Sequence, residues 1–196
     1  MEWWLIRHGL TSWNVARKYQ GHSDVELLSN EMNGLKGLYQ KLQGVHFSAI
    51  YCSDLLRCRQ TLDYVCPDLN SIEVYFDKRL REMNFGEWEG KTYEMLKDRP
   101  LYTSWIDHPQ NYTPPRGESW QQFHDRVHDV YLQLREKSRQ ILFSCQGEQV
   151  EPRLLIVTHG GVISLLSTFL NTGTNFWDTR LAPGEVIKLQ VDVLDE

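Results

Sequence analysis

The feature that most limits how this chain can fold is a short plan written twice. Near the start stands Trp3-Trp4-Leu5-Ile6-Arg7-His8-Gly9, and near the other end Leu154-Leu155-Ile156-Val157-Thr158-His159-Gly160. Each reads as four apolar residues, one polar residue, a histidine and a glycine. A short continuous apolar run closed by a turn signal fits a strand buried on both faces, as in a parallel sheet. Both strands then deliver a histidine at their carboxyl ends, with glycine freeing the turn that follows. In open α/β sheets, ligands bind in the crevice beyond those ends. The repeated plan therefore predicts that His8 and His159 meet there.

Further strands are predicted at 49–52, 72–76 and 186–191, with helices at 29–42, 53–65 and 162–170. Ser119 followed by Gln122 forms a capping box, and Phe123, Val127, Tyr131 and Leu134 continue it as one apolar stripe. Strand-helix alternation of this kind implies a three-layer α/β/α fold with a mostly parallel central sheet. Residues 77–152 break the rhythm and carry Pro100, Pro109, Pro114 and Pro115. They are expected to form a cap-like subdomain inserted in a single domain spanning 1–196 and folded over one end of the sheet.

A formal charge of -5 argues against a nucleic-acid partner. It leaves room for a local cationic pocket and a phosphorylated small molecule. No apolar run approaches the roughly 18 residues of a membrane span, and the opening lacks the basic start of a signal peptide. The four cysteines show neither C-x-x-C spacing nor a paired framework, as expected of reduced thiols in a cytoplasmic protein.

Arg7 is always charged and presents a planar fork matched to phosphate oxygens. Directly after a buried strand it needs an anion, either a ligand or an internal carboxylate. Arg57, early in the helix after the 49–52 strand, is placed at the same edge, whereas Arg59 points elsewhere. Two arginines and two imidazoles suit a phosphoryl group in flight, with the cations balancing its equatorial oxygens. A neutral histidine can serve as covalent nucleophile, and the leaving alcohol then needs a proton from a carboxylic acid. Glu82, Glu87 and Glu89 are the candidates in RLREMNFGEWEG. Glu82 is preferred because it lies next after the 72–76 strand region. Trp88 and Trp105 are candidates for stacking on a substrate. His124 and His128 have the spacing of a zinc-binding helix, but Asp125 stands where the catalytic glutamate would be. They read as one solvated helix face, and no metal site is expected.

These residues fall in a pattern that resembles the histidine phosphatase superfamily over essentially the whole length. Arg7-His8-Gly9 with Thr11 and Asn14 matches its RHG-x-T-x-x-N signature, and Gln20-Gly21 with Asp24 matches the QG-x-x-D segment. Ser53, Leu56, Arg57 and Thr61 match the following helix, with Cys58 and Leu62 in place of its alanines. Glu82, Phe85-Gly86 and Trp88-Glu89-Gly90 match the acid loop, and His159-Gly160-Gly161 the second histidine motif. Val25-Glu26 departs from the usual S-P, and this is expected to reshape one pocket wall.

The resemblance implies a phosphoglycerate mutase-like fold and a phosphatase that uses neither metal nor organic cofactor. His8 would become the phosphohistidine. Arg7, Arg57 and His159 would hold the phosphoryl oxygens, Asn14 would also contact them, Gln20 and Gly21 would line the phosphate side, and Glu82 would donate the proton. The compact chain more nearly resembles the family's short phosphatases than its longer mutases. Hydrolysis of α-ribazole 5′-phosphate in building the cobalamin nucleotide loop is the expected activity. A broad-specificity sugar phosphatase, a mutase-like enzyme and, last, a non-enzymatic binding module are the alternatives. A homodimer is expected from the size class.

Overall fold

The computed structural model describes residues 1–68, 72–145 and 151–192. One sheet holds β1 (Glu2–Arg7), β2 (Ala49–Cys52), β3 (Val74–Phe76), β4 (Arg153–Thr158) and β5 (Val186–Gln190), in the order β3-β2-β4-β1-β5. All neighbouring pairs are parallel except β1 with β5, so the mostly parallel sheet expected from the apolar runs is present.

Along β1 the side chains alternate between two cores, as strand geometry requires. Trp4 and Ile6 join Ile50 and Val157 against α2 (Glu31–Leu42) and α3 (Leu56–Val65), after the short α1 (Ser12–Val15). Trp3 and Leu5 join Tyr51 and Ile156 on the opposite face. After α4 (Tyr93–Leu96) and α5 (Pro100–Asp107), that face is covered by α6 (Trp120–Ser144) and α7 (Gly160–Leu170). Layers of helix, sheet and helix result. The Trp3 indole donates to Ser138 Oγ at 2.9 Å, so a large side chain is buried without an unpaired N–H.

The chain after β1 passes to the α2 face and the chain after β4 to the α7 face. These neighbouring strands therefore flank a topological switch point, where the crevice of an open α/β sheet forms. Within 77–152, α6 packs on the sheet through Phe123, Val127, Val130 and Leu134. Its predicted capping box is present, with Ser119 Oγ accepting from the Gln122 N–H and Gln122 Oε1 from the Ser119 N–H. The stretch before it contributes a separate small cluster of Trp88, Leu96 and Tyr102.

Three helix boundaries differ from expectation for physical reasons. α3 starts at Leu56 rather than 53, because Ser53 turns its hydroxyl to His159 and Leu55 is extended. α7 starts at Gly160 rather than 162: His159 caps it in the β region, and packing overrides the poor helix propensity of Gly160-Gly161. α2 starts at Glu31, whose carboxylate is drawn to the loop after His8. Among the described residues, no helix is long and apolar enough to cross a membrane.

Candidate active site

Arg7 pairs with Thr158 across β1 and β4, so His8 and His159 emerge side by side with ring centroids 5.1 Å apart. The long-range meeting expected from the repeated plan occurs. His8 Nδ1 lies 2.7 Å from the Gly9 carbonyl oxygen. A carbonyl only accepts, so Nδ1 carries the proton and Nε2 keeps its lone pair. Burial, then the Arg57 charge, holds the His8 pKa well below the ordinary imidazole value. The ring is neutral at neutral pH, as a nucleophile must be.

His159 is wholly buried. The Arg57 guanidinium donates to its Nδ1 at 3.1 Å, which places the proton on Nε2, and Nε2 lies 2.9 Å from Ser53 Oγ and 3.4 Å from Cys58 Sγ. Its pKa too is held well below the ordinary value, by burial first and then by Arg57 and His8.

Arg57 is 0% exposed. It donates to the Ser23 carbonyl at 2.9 Å and the Gly21 carbonyl at 2.8 Å, and its buried Nε has no partner. Arg7 donates to the Leu181 carbonyl at 2.7 Å, and its buried Nε is likewise unpaired. Among the described residues neither guanidinium is ion-paired with a carboxylate. Two largely desolvated cations beside a neutral imidazole, with no carboxylate in direct contact, make a site for a ligand anion.

Gln20 Oε1 accepts from the Thr11 hydroxyl at 2.7 Å, and its buried Nε2 has no partner. Asn14 Oδ1 accepts from the Thr11 N–H at 3.1 Å, closing the cap of α1. Gly21 brings its carbonyl to Arg57, and a Cβ there would collide with the Met83 carbonyl and the Glu89 carboxylate.

The three candidate acids separate cleanly. Glu89 is occupied holding that loop: Oε1 accepts from the N–H of His22 at 2.8 Å and of Phe85 at 3.2 Å, and Oε2 from Ser23. Glu87 pairs with exposed Arg116 at 3.3 Å. Glu82 lines the same cavity as Arg7. Its Oε2 accepts from the Gly161 N–H at 2.9 Å and its Oε1 from the Met83 N–H at 3.0 Å. A side chain at Gly161 would run into that carboxylate, which explains the second glycine of the His159 motif.

That cavity has a volume of about 620 Å³. Its lining includes Arg7, Glu82 and Gly160, with Phe85, Trp105, Trp120, Phe176 and Trp177 as aromatic walls; His8, His159 and Arg57 are not part of it. Of the two tryptophans singled out from the sequence, Trp105 lines it, whereas Trp88 is 1% exposed and packs edge-on against Trp105. The departure at Val25-Glu26 borders a different space. Glu26 and Glu31 line a cleft of about 660 Å³ bordered by residues of α2 and α3, whose lining includes neither histidine nor either arginine of the site.

Several supporting contacts are not readable from the sequence, although Thr61 stands in the helix motif. Thr61 accepts from the Gly9 N–H at 2.9 Å and donates to the Arg57 carbonyl at 2.7 Å, tying the loop after His8 to α3. Glu31 accepts from the Leu10 N–H at 2.7 Å. Arg126 donates to the carbonyls of Arg79, Arg81 and Glu82 at 2.7–2.9 Å and pairs with Glu118, clamping the acid loop. It lies between His124 and His128, whose parallel rings both stand edge-on to Phe169.

Comparisons with known proteins agree with this geometry. The description of the histidine phosphatase superfamily (branch 1) matches residues 3–193. The adenosylcobalamin/alpha-ribazole phosphatase of Salmonella typhimurium is 35% identical over 188 residues, covering 94% of this chain and 87% of the relative. Phosphoglycerate mutase-like protein 4 of Arabidopsis thaliana is 32% identical over 95% of this chain and 82% of its own length. The crystal structure of the alpha-ribazole phosphatase from Shigella flexneri superposes with a TM-score of 0.84 at 31% identity, covering 98% of this chain and 91% of that one. With the paired histidines, the unpaired arginines and a family match along nearly its whole length, this chain belongs to the histidine phosphatase superfamily.

Proposed function

We propose that the chain hydrolyses a phosphomonoester through a phosphohistidine on His8, and that its substrate is α-ribazole 5′-phosphate. The observation that carries the first part is the buried Arg57 guanidinium and the half-buried Arg7 guanidinium beside His8, neither in an ion pair among the described residues. A phosphoryl group supplies the missing anion, and its oxygens meet the unpaired Nε atoms.

In the first transfer the His8 Nε2 lone pair forms a bond to phosphorus as the ester P–O bond breaks. The carboxyl of Glu82 gives its proton to the departing oxygen. In the second, Glu82 takes a proton from water, the water oxygen bonds to phosphorus, and the P–N bond breaks to free His8. The groups are fixed in advance by Thr61, Arg126 and Gly161, so little reorganisation accompanies charge movement.

The substrate part rests on the names of the relatives and on the aromatic walls, which suit a flat base. Of the residues 77–152, we assign the cap role to the stretch that brings Phe85 and Trp105 to the cavity, with α6 serving the sheet. Free cysteines fit a reducing cytoplasm; burial raises the Cys58 and Cys66 thiols and keeps them unreactive. Phosphate release from α-ribazole 5′-phosphate, sugar phosphates and 3-phosphoglycerate is the test. The expected order has α-ribazole 5′-phosphate ahead by at least about tenfold in kcat/KM. Conversion of 3- to 2-phosphoglycerate outpacing phosphate release would overturn the hydrolase.

A further inference from the structure

Between α7 and β5 the chain follows a path that no sequence motif marked, and it is fastened to the site at several points. The Ser164 hydroxyl donates to the Thr179 carbonyl at 2.9 Å, Arg7 donates to the Leu181 carbonyl at 2.7 Å, and the Gly184 N–H meets the Arg7 carbonyl at 3.0 Å. The same segment brings Phe176 and Trp177 to the aromatic cavity. Phe176 stands edge-on to Trp120 at 4.8 Å, and Trp177 edge-on to Phe176 at 4.7 Å.

Trp177 is 60% exposed although it lines the cavity that holds Arg7 and Glu82. A flat ring seated against it removes apolar area of both partners from water. Of the polar atoms nearby, the Ser164 and Tyr19 hydroxyls are engaged, whereas the buried Trp105 Nε1–H has no partner among the described residues. Ser164 donates to Thr179, and the Tyr19 hydroxyl lies 2.8 Å from that of Tyr102. Such walls accept a ring with few polar edge groups.

We propose that Trp177 is a specificity-determining residue, stacking on a flat, weakly polar heteroaromatic base in the leaving group. The segment that carries it also holds Arg7 through the Leu181 carbonyl, so base and phosphoryl group are read by one stretch of chain. This rests on the phosphomonoesterase function proposed for the site and deepens it by naming what grips the base.

The test compares kcat/KM for α-ribazole 5′-phosphate with that for ribose 5-phosphate, which shares the phosphoryl and sugar but has no base. The ratio of the two is expected to lie well above one in the wild type, to fall about tenfold in Trp177→Ala, and to recover largely in Trp177→Phe. A high wild-type ratio that survives in Trp177→Ala overturns the role of Trp177 and leaves the substrate standing. Equal losses on both substrates make Trp177 structural and also overturn it. A wild-type ratio near one, with ribose 5-phosphate still hydrolysed, overturns both the base subsite and the α-ribazole assignment while sparing the phosphatase.

Discussion

The ends of β1 and β4 are built from the same seven-residue plan, yet their histidines are left in different states. Among the described residues, the His8 ring hydrogen-bonds its own backbone through Nδ1, and its Nε2 has no partner. His159 has Nδ1 against Arg57 and Nε2 against Ser53, and is wholly buried. The chain that follows makes the difference. After His8 it continues as a loop held by Thr61 and Glu31, whereas His159 is the cap of α7 and lies under Arg57. A strand end that delivers an imidazole therefore does not fix its chemistry. What fixes it is which ring nitrogen the surroundings consume.

The comparison breaks hardest at His8. His8→Ala is expected to lose at least about ten-thousandfold in kcat, with phosphoenzyme abolished, since the proposed transfer runs through His8. Steady-state phosphate release from that variant checks it. His159→Ala is expected to lose about a hundredfold, because Arg57 loses a partner and a neighbour that holds it in place. Rapid-quench kinetics should still detect phosphoenzyme in that variant. If both substitutions abolish phosphoenzyme alike, the division of labour between the rings is wrong.

The smallest effect is on stability against pH. Both rings have folded pKa values well below the ordinary value of about 6.5 that the unfolded chain recovers. The unfolded state thus binds more protons below pH 6.5. Stability is fully present above that pH and falls as pH drops towards the folded values, by at most about 1.4 kcal/mol per unit for each ring. Denaturant unfolding at pH 7 and pH 5 should show a shallower loss in His159→Asn than in the wild type.

Much of this was legible because it is local. Apolar runs ending in His-Gly mark β1 and β4, and the strand before Arg57 places that residue at the same edge. Glu82 could be ranked above Glu87 and Glu89 by its distance along the chain from β3. The supports were not legible, since each is a contact between distant positions: Ser53 with His159, Arg126 with three carbonyls of the acid loop, Glu31 with Leu10. The four-residue α1 and α4 are too short for a helical period to register. Phe176 and Trp177 lie in a connection without regular structure, where no periodicity marks a cavity wall.

The division between the two histidines is tested most directly by locating the phosphoryl group. The protein is mixed with substrate, quenched in alkali to preserve phosphohistidine, and digested, and the modified peptide is sequenced by mass spectrometry. The expected result is a phosphoryl group on His8 alone, with the ³¹P resonance of an Nε2 adduct. A phosphoryl group on His159, or turnover with no phosphohistidine at all, would contradict it.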